Sequence, residues 1–488
     1  MANTVRPAGA CATCKQRKIK CDKSLPACNQ CRKSGWTCPG VPLQPESVFR
    51  DETATLLRNA RRGKRGPQKG ASTREYTART HDLSPSLEDR ATAYFVHNYV
   101  FSFAPAGGSH EYLPLLLQRC HARNVLGTIC AAAGLAALAN SGNSPSWKTQ
   151  AFSWYGTAIQ QLQADLRHPH KAKSDEVLGA ILLMGTFEVI ACDGLKSITS
   201  LSHHIIAGAQ CVHMRGPEQF GIDPGLSTSM VAQLRGAIVM SCHQLQEPIP
   251  AAVETWSRWA EPALPQYDAA LYCFGDMEKR LIAARAVIKR AGISSPSVIM
   301  RTLLPLDDLL EDWRKLLPNS WASKSYKCLH PTRVDEAIYT SQYDTYPDLY
   351  IATMWNAYRS SRLLIHETIV TATLKHGSAE EVGKLSYSID ILRRMAAEIC
   401  QSVPYYLGYS RNGGQVMVQP QFSYVEGLSA EGALLLFWPL FACGMSWAVS
   451  TEQRHWIASI LRRVGLHLGL QLAISMAAAL EATPELPT

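Results

Sequence analysis

Apolar positions recur at three- and four-residue spacing through most of residues 83–488, the mark of helices with one buried face. Ser84-Pro85-Ser86, followed by Glu88 and Asp89, offers a capping hydroxyl, a proline for the first turn and acids, and predicts a helix start. Ser174-Asp175-Glu176 predicts another, running through VLGAILLMGTFEVIAC to Cys192. Val177, Ile181 and Met184, with Leu178 and Leu182, hold helical spacing along it. A third covers 199–215, with Leu201, Ile205, Ala209 and Val212 on one stripe and a Gly216-Pro217 stop. Further helices are predicted over 228–245, 301–317, 349–374, 379–401, 431–450 and 453–480. Alternating strand patterns bounded by turn pairs are scarce. The predicted fold class is therefore mostly α, with a large all-α domain over 83–488.

Several stretches of this region have a bland reading that outweighs a functional one. The most apolar run, 433–449, is 17 residues long and contains Pro439 and Gly444. It falls short of the about 20 residues that span a bilayer. It reads as a buried helix pair broken near Pro439, and no membrane partner is expected. Gly465-x-x-x-Gly469 reads as a close helix contact. His203 and His204 point about 100° apart on a helix and read as surface or core-edge residues. Asp307, Asp308, Glu311 and Asp312, beside Trp313, read as a solvated helix face rather than a coactivator-binding patch. H-E-x-x-H, G-x-x-x-x-G-K-[ST], G-x-G-x-x-G and G-x-S-x-G are all absent; His366-Glu367 lacks the second histidine, and Gly408-Tyr-Ser410 the last glycine. No enzyme is expected, and no catalytic residue is assigned.

Residues 11–38 break the helical pattern. They read CATCKQRKIKCDKSLPACNQCRKSGWTC, with six cysteines spaced C-x2-C-x6-C-x6-C-x2-C-x6-C. The unit C-x2-C-x6-C occurs twice, offset by 17 residues: Cys11, Cys14 and Cys21, then Cys28, Cys31 and Cys38. C-x2-C lets two thiolates hold one metal from a single turn, and zinc is the usual occupant. Two tetrahedral ions need eight bonds, so six cysteines suffice if two of them bridge. The duplication suggests equivalent positions, and the first cysteine of each half, Cys11 and Cys28, is the natural pair. A disulfide framework needs an oxidising compartment, and residues 1–10 lack the apolar segment of a signal peptide. Iron–sulfur spacings do not fit, and two plain four-cysteine sites would need eight ligands. The remaining nine cysteines are scattered singly and read as buried small apolar residues in a reducing compartment.

Charge separates the two ends of the chain. Residues 1–80 hold 17 Lys/Arg and 5 Asp/Glu, a net of +12; the remaining 408 hold 32 and 35, a net of −3. The basic excess therefore sits with the cysteines and points to a polyanionic partner, most simply nucleic acid. The two halves are duplicated in ligands but not in cations. KQRKIK in the first carries Lys15, Arg17, Lys18 and Lys20, whereas RKSGWT in the second carries only Arg32 and Lys33. The first half should face DNA and the second should buttress it. These cations also help balance a cluster of two Zn²⁺ and six thiolates. Each half should begin with a short helix whose N-terminus points at the thiolates. Lys15, Lys20 and Lys23 are expected to touch phosphates. Trp36 reads as filler of the small core rather than a platform for bases.

In every one of these spacings the stretch resembles the fungal Zn2Cys6 binuclear cluster family. The resemblance implies two Zn²⁺, with Cys11 and Cys28 as bridges. One ion would take Cys11, Cys14, Cys21 and Cys28, the other Cys11, Cys28, Cys31 and Cys38. It implies that the first helix enters the major groove of double-stranded DNA at a CGG-type triplet. Lys18 then makes the base contacts, with Arg17 beside it; guanine offers O6 and N7 to such cations. Pro26 matches the family's loop proline. Four stretches of the rest, at 93–105, 174–190, 203–220 and 438–461, resemble the fungal-specific transcription factor domain, which implies a regulatory role.

The expected organisation is thus a DNA-binding domain at 1–42, a flexible basic linker at 43–82 and the regulatory domain at 83–488. Arg61, Arg62, Lys64 and Arg65 lie in RRGKRGPQKG and read as a nuclear localisation signal. Val48, Phe49, Leu56 and Leu57 hold no heptad register, so no coiled coil is expected after the cluster. Pairing, if any, would be a homodimer through the helical domain. The expected function is sequence-specific regulation of RNA polymerase II genes in the nucleus, with the transcription machinery as partner. The alternative is a zinc-stabilised interaction scaffold that reads no bases.

Overall fold

The computed structural model describes residues 10–22, 24, 26–39, 85–103, 107–120, 124–191, 194, 197–260, 269–327, 337–339, 342–412, 415–418, 424–425 and 428–483. Lys23, the helix expected within 48–62, and the proposed localisation signal Arg61, Arg62, Lys64 and Arg65 lie outside the described residues. The chain divides into two units between residues 82 and 83.

The first unit contains two five-residue helices, α1 (Ala12–Gln16) and α2 (Asn29–Lys33). The second is built from helices α3 (Leu87–Tyr99), α4 (Leu113–Arg119), α5 (Val125–Ser141), α6 (Pro145–Leu166), α7 (Pro169–Ala172) and α8 (Asp175–Ala191). It continues with α9 (Ser197–Arg215), α10 (Gln219–Ile222), α11 (Pro224–Leu245), α12 (Ala251–Ala260), α13 (Ala269–Arg290) and α14 (Pro296–Leu316). Its last helices are α15 (Leu349–His376), α16 (Ala379–Gly383), α17 (Ser386–Tyr406), α18 (Ala430–Gly444), α19 (Thr451–Leu468) and α20 (Gln471–Glu481). Its strands, among the described residues, form four antiparallel two-stranded hairpins: β1–β2 (Phe101–Phe103, Gly107–Ser109), β3–β4 (Lys324–Lys327, Gln342–Thr345), β5–β6 (Tyr409–Asn412, Gln415–Val418) and β7–β8 (Tyr424–Val425, Leu428–Ser429). The fold is all-α with small hairpins between helices.

Helices α5 and α8 are apolar on every side and lie inside, as such helices must. Around α5 pack α3, α6 and α8; farther along the chain α15 packs on α14 and α17. One continuous apolar core runs through the whole unit. Among the described residues, no helix is long and apolar enough to cross a membrane.

Five local expectations change. The cap of α3 is Ser86, whose hydroxyl accepts from Asp89 N–H in a capping box, so Pro85 precedes the helix. The helix expected over 379–401 is two, α16 and α17. α18 runs through Pro439 and ends at Gly444, because one missing N–H and a ring clash do not outweigh burial on a packed face. The helix expected over 453–480 breaks at Gly469, which adopts φ +73° as the cap of α19. A side chain there would also strike the Ala137 carbonyl, so only Gly465 of the pair serves the close α19–α20 contact. Finally, Asp307 is buried and Glu311 largely so, leaving Asp308 and Asp312 as the solvated part of that acidic face.

Candidate metal centre and nucleic-acid interface

Helices α1 and α2 are the same structure made twice. Cys11 is the N-cap of α1, and its Sγ accepts from Cys14 N–H at 3.4 Å. Cys28 is the N-cap of α2, and its Sγ accepts from Cys31 N–H at 3.5 Å. A cap sulfur is thereby held at the positive end of each helix, where negative charge is stabilised. Both helices close in the same way. Ile19 N–H donates to Cys14 C=O at 3.1 Å and Lys18 N–H to Lys15 C=O at 3.3 Å; Trp36 N–H donates to Cys31 C=O at 2.9 Å and Gly35 N–H to Arg32 C=O at 3.4 Å. This closure requires a left-handed residue after the cap. Gly35 takes it at φ +67° in the second half; in the first, Lys18 takes it at φ +53°.

The caps bring the thiols together. Cys11, Cys14, Cys28 and Cys31 are fully buried, with Cys21 and Cys38 half-buried beside them. The sulfurs of Cys11, Cys14, Cys21 and Cys28 all lie within 4.8 Å of one another, as do those of Cys11, Cys28, Cys31 and Cys38. Tetrahedral zinc, with Zn–S bonds of about 2.3 Å, separates two thiolates by about 3.8 Å. The Cys11–Cys28, Cys11–Cys31 and Cys14–Cys28 separations are 3.7, 3.7 and 3.6 Å. Cys14 and Cys31, in different sets, are 3.9 Å apart, so the four buried thiols also form a compact quartet. Burial, then the neighbouring thiols of Cys28 and Cys11, push the Cys31 thiol up to about 12. A doubly charged cation reverses that balance, because a coordinating thiol gives up its proton. The donor set therefore suits zinc.

The connection between the halves is tied to α2 by Asp22, a residue not singled out from the sequence. Its carboxylate accepts from the Ser24 hydroxyl and from Asn29 N–H (2.9 Å) and Nδ2 (2.8 Å). The Ser24 contact, followed by those from Asn29, holds that carboxyl below its ordinary range. In sequence, the signal was an Asp placed just before a turn and a helix start.

Lys15, Arg17, Lys18 and Lys20 are all exposed, in α1 and its closing turn. Arg17 is not free: its guanidinium lies 4.1 Å from the centroid of the Trp36 ring. Trp36 packs against the cysteines on one side and carries this cation on its face, so it fills the small core and also joins the halves. In the second half, Arg32 donates to Asn29 Oδ1 at 2.9 Å and is committed to its own helix.

In the large unit, His203 is exposed, and His204 meets the Tyr155 hydroxyl at 3.0 Å. His366 is buried against Ser388 (3.0 Å) and Asp307 (3.2 Å), and Glu367 accepts from Ser446 at 2.7 Å. Neither histidine site gathers the three ligands a metal needs.

Comparison with known proteins adds two family matches. Residues 9–45 match the fungal Zn(2)-Cys(6) binuclear cluster domain, and residues 92–247 the fungal specific transcription factor domain. A C6 finger domain transcription factor, hasF, from Aspergillus fumigatus is 36% identical over 79 residues, which is 16% of this chain and 10% of the relative. The chain thus matches a tenth of that relative's length. No solved structure matches.

Proposed function

We propose that this chain, a fungal Zn2Cys6 transcription factor, reads CGG-type sites in double-stranded DNA from the turn that closes α1, with Lys18 at the bases. Its domains are the DNA-binding module at 1–42, the basic linker at 43–82 and the regulatory helical domain at 83–488. Cys11, Cys14, Cys21, Cys28, Cys31 and Cys38 would hold two Zn²⁺, with Cys11 and Cys28 shared between the two sets. Each ion would supply the Lewis acidity that keeps its thiolates deprotonated; the protein's part is to cap, bury and orient them. Lys15, Lys20 and Lys23 contact phosphates and fix the register. The setting is the nucleus, acting on RNA polymerase II genes through the transcription machinery, with any homodimer made by the helical domain.

The observation that carries this reading is the left-handed lysine. At the same turn of the repeat, one half has Gly35 and the other Lys18. A side chain in that conformation costs about 1–2 kcal/mol. Backbone strain of this kind is retained where the side chain is used, and an exposed cation beside three others has an obvious use on DNA.

Gel shifts test it. Lys18→Gly leaves the module at least as stable as before, since glycine suits the turn, yet weakens binding to CGG-containing DNA by about 1–3 kcal/mol. Scrambling the triplets weakens the unaltered protein likewise. An equal loss on every sequence makes Lys18 a phosphate contact, and indifference to scrambling favours the scaffold reading. Zinc content should be two ions per chain; a single ion would assign the metal to the Cys11, Cys14, Cys28, Cys31 quartet. Deleting residues 58–69 should move the protein out of the nucleus, and unchanged imaging would place the signal elsewhere.

A further inference from the structure

The large unit holds a half-open pocket of about 270 Å³ that no role assigned above uses. α8 and α9 supply Ile181, Leu182 and Ile205, α11 supplies Leu234, and the C-terminal part supplies Phe437 and Leu470. The wall is overwhelmingly apolar, and three of its polar side chains are already bonded within the fold. Thr186 Oγ1 bonds His110 Nε2 at 2.7 Å and donates to Leu182 C=O at 3.3 Å. His204 Nε2 faces the Tyr155 hydroxyl at 3.0 Å and the Glu188 carboxylate at 3.6 Å. Gln233 Oε1 accepts from His110 N–H at 2.8 Å, and its amide nitrogen lies against the His110 ring at 3.2 Å. Burial drives that imidazole down to about 3, so His110 carries no charge at neutral pH.

We propose that this cavity binds a compact, uncharged, mainly apolar small molecule bearing one hydrogen-bonding group, which Gln233 meets with its remaining lone pair or N–H. Water is a poor occupant, because each buried molecule needs two to four polar partners and the wall offers few. An ion is worse, because the nearest charged group among the described residues, the Glu188 carboxylate, is already taken up by His204 and the Tyr155 hydroxyl. The volume sits just below the about 300–1,000 Å³ of sites for drug-sized ligands, which limits the occupant to a fused bicycle or a short terpenoid skeleton. Such a ligand would touch α8, α9 and α11 together with α18 and Leu470. It would therefore fasten the 92–247 stretch to the C-terminal helices.

The test uses the full chain and the neutral fluorophore N-phenyl-1-naphthylamine. Saturable binding at one site per chain is expected, with a rise in melting temperature that grows with probe concentration. Ala237→Trp, which fills the cavity from α11, should weaken binding at least tenfold, and the milder Ala237→Leu should weaken it less. Circular dichroism establishes that each variant is folded. The anion naphthalene-2-sulfonate should not compete. No saturable binding, unchanged affinity in a folded filled variant, or equal competition by the anion overturns the proposal. Should both variants unfold, stoichiometry and competition in the unaltered protein decide. Neither zinc nor DNA enters the readout, so its outcome is independent of the function proposed above.

Discussion

Cys28→Ala abolishes zinc retention and DNA binding together. Cys28 belongs to both four-thiol sets, is fully buried, touches Cys11 and Cys14 at 3.7 and 3.6 Å, and caps α2. Its loss would take a ligand from both sets, and so from each ion of the proposed pair, and the cap from the second helix in one step. The module, with two five-residue helices and a core of cysteines and one tryptophan, has only a few hydrogen bonds and the Arg17–Trp36 contact besides, among the described residues. In such small domains metal binding is the folding free energy, about 10–16 kcal/mol per structural zinc. Cys38→Ala, which touches one set only, should leave one ion bound and a weakened module. Native mass spectrometry of both variants, beside gel shifts, measures this; two ions retained in Cys28→Ala would refute the bridge.

Arg362→Leu should cost the large unit about 3–5 kcal/mol, the penalty for a buried charge left without its partner. Arg362 is fully buried on α15 and meets Asp307 of α14 with two bonds, at 2.6 and 2.8 Å, and also Glu311. Glu311 in turn accepts from the Tyr358 hydroxyl at 2.6 Å. The paired variant Asp307→Leu/Arg362→Met should recover much of the loss, since an apolar pair removes both charges at once. Urea unfolding of the three proteins measures it. Burial alone would raise the Asp307 carboxyl, but His366 and Arg362 more than offset it and hold it at about 2. That lies below the about 3.9 of a free Asp. The carboxylate's contribution is therefore complete above about pH 4 and is lost as pH falls towards 2. Unfolding midpoints that stay flat across that window in the unaltered protein, while the double variant behaves identically, would remove the pair from the account.

The metal centre was legible because ligation acts locally: two cysteines on one turn need C-x2-C, and the repeat announces which positions are equivalent. The strain at Lys18 was written there too, since a shift of 17 residues lays Lys18 on Gly35, but only the turn geometry says that both must be left-handed. The Arg17–Trp36 contact crosses the two halves, and no spacing encodes it. In the large unit, periodicity predicted many of the helices but not their ends, and it named none over α4, α5, α6, α12 or α13. Gly469 reads as a small packing residue until the carbonyl of Ala137 is placed beside it. Asp307 and Glu311 sit one helical turn apart, as solvated acids also do; their partners lie about fifty residues away, at 358, 362 and 366, beyond the reach of any local pattern.

The seam around Gly469 has a consequence for synthesis. The Tyr99 hydroxyl donates to Leu468 C=O, and Asn140 Nδ2 donates to Gly469 C=O at 2.9 Å as well as to Ile190 C=O at 2.8 Å. Tyr99 and Leu468 stand 369 residues apart. At ribosomal rates of about 5–20 residues per second, the second arrives roughly 20–75 s after the first. Through that interval α5, apolar on every side, lacks the C-terminal helices that cover part of it. The nascent chain therefore exposes an apolar helix for tens of seconds, and yield should depend on chaperone supply more than on the stability of the finished fold.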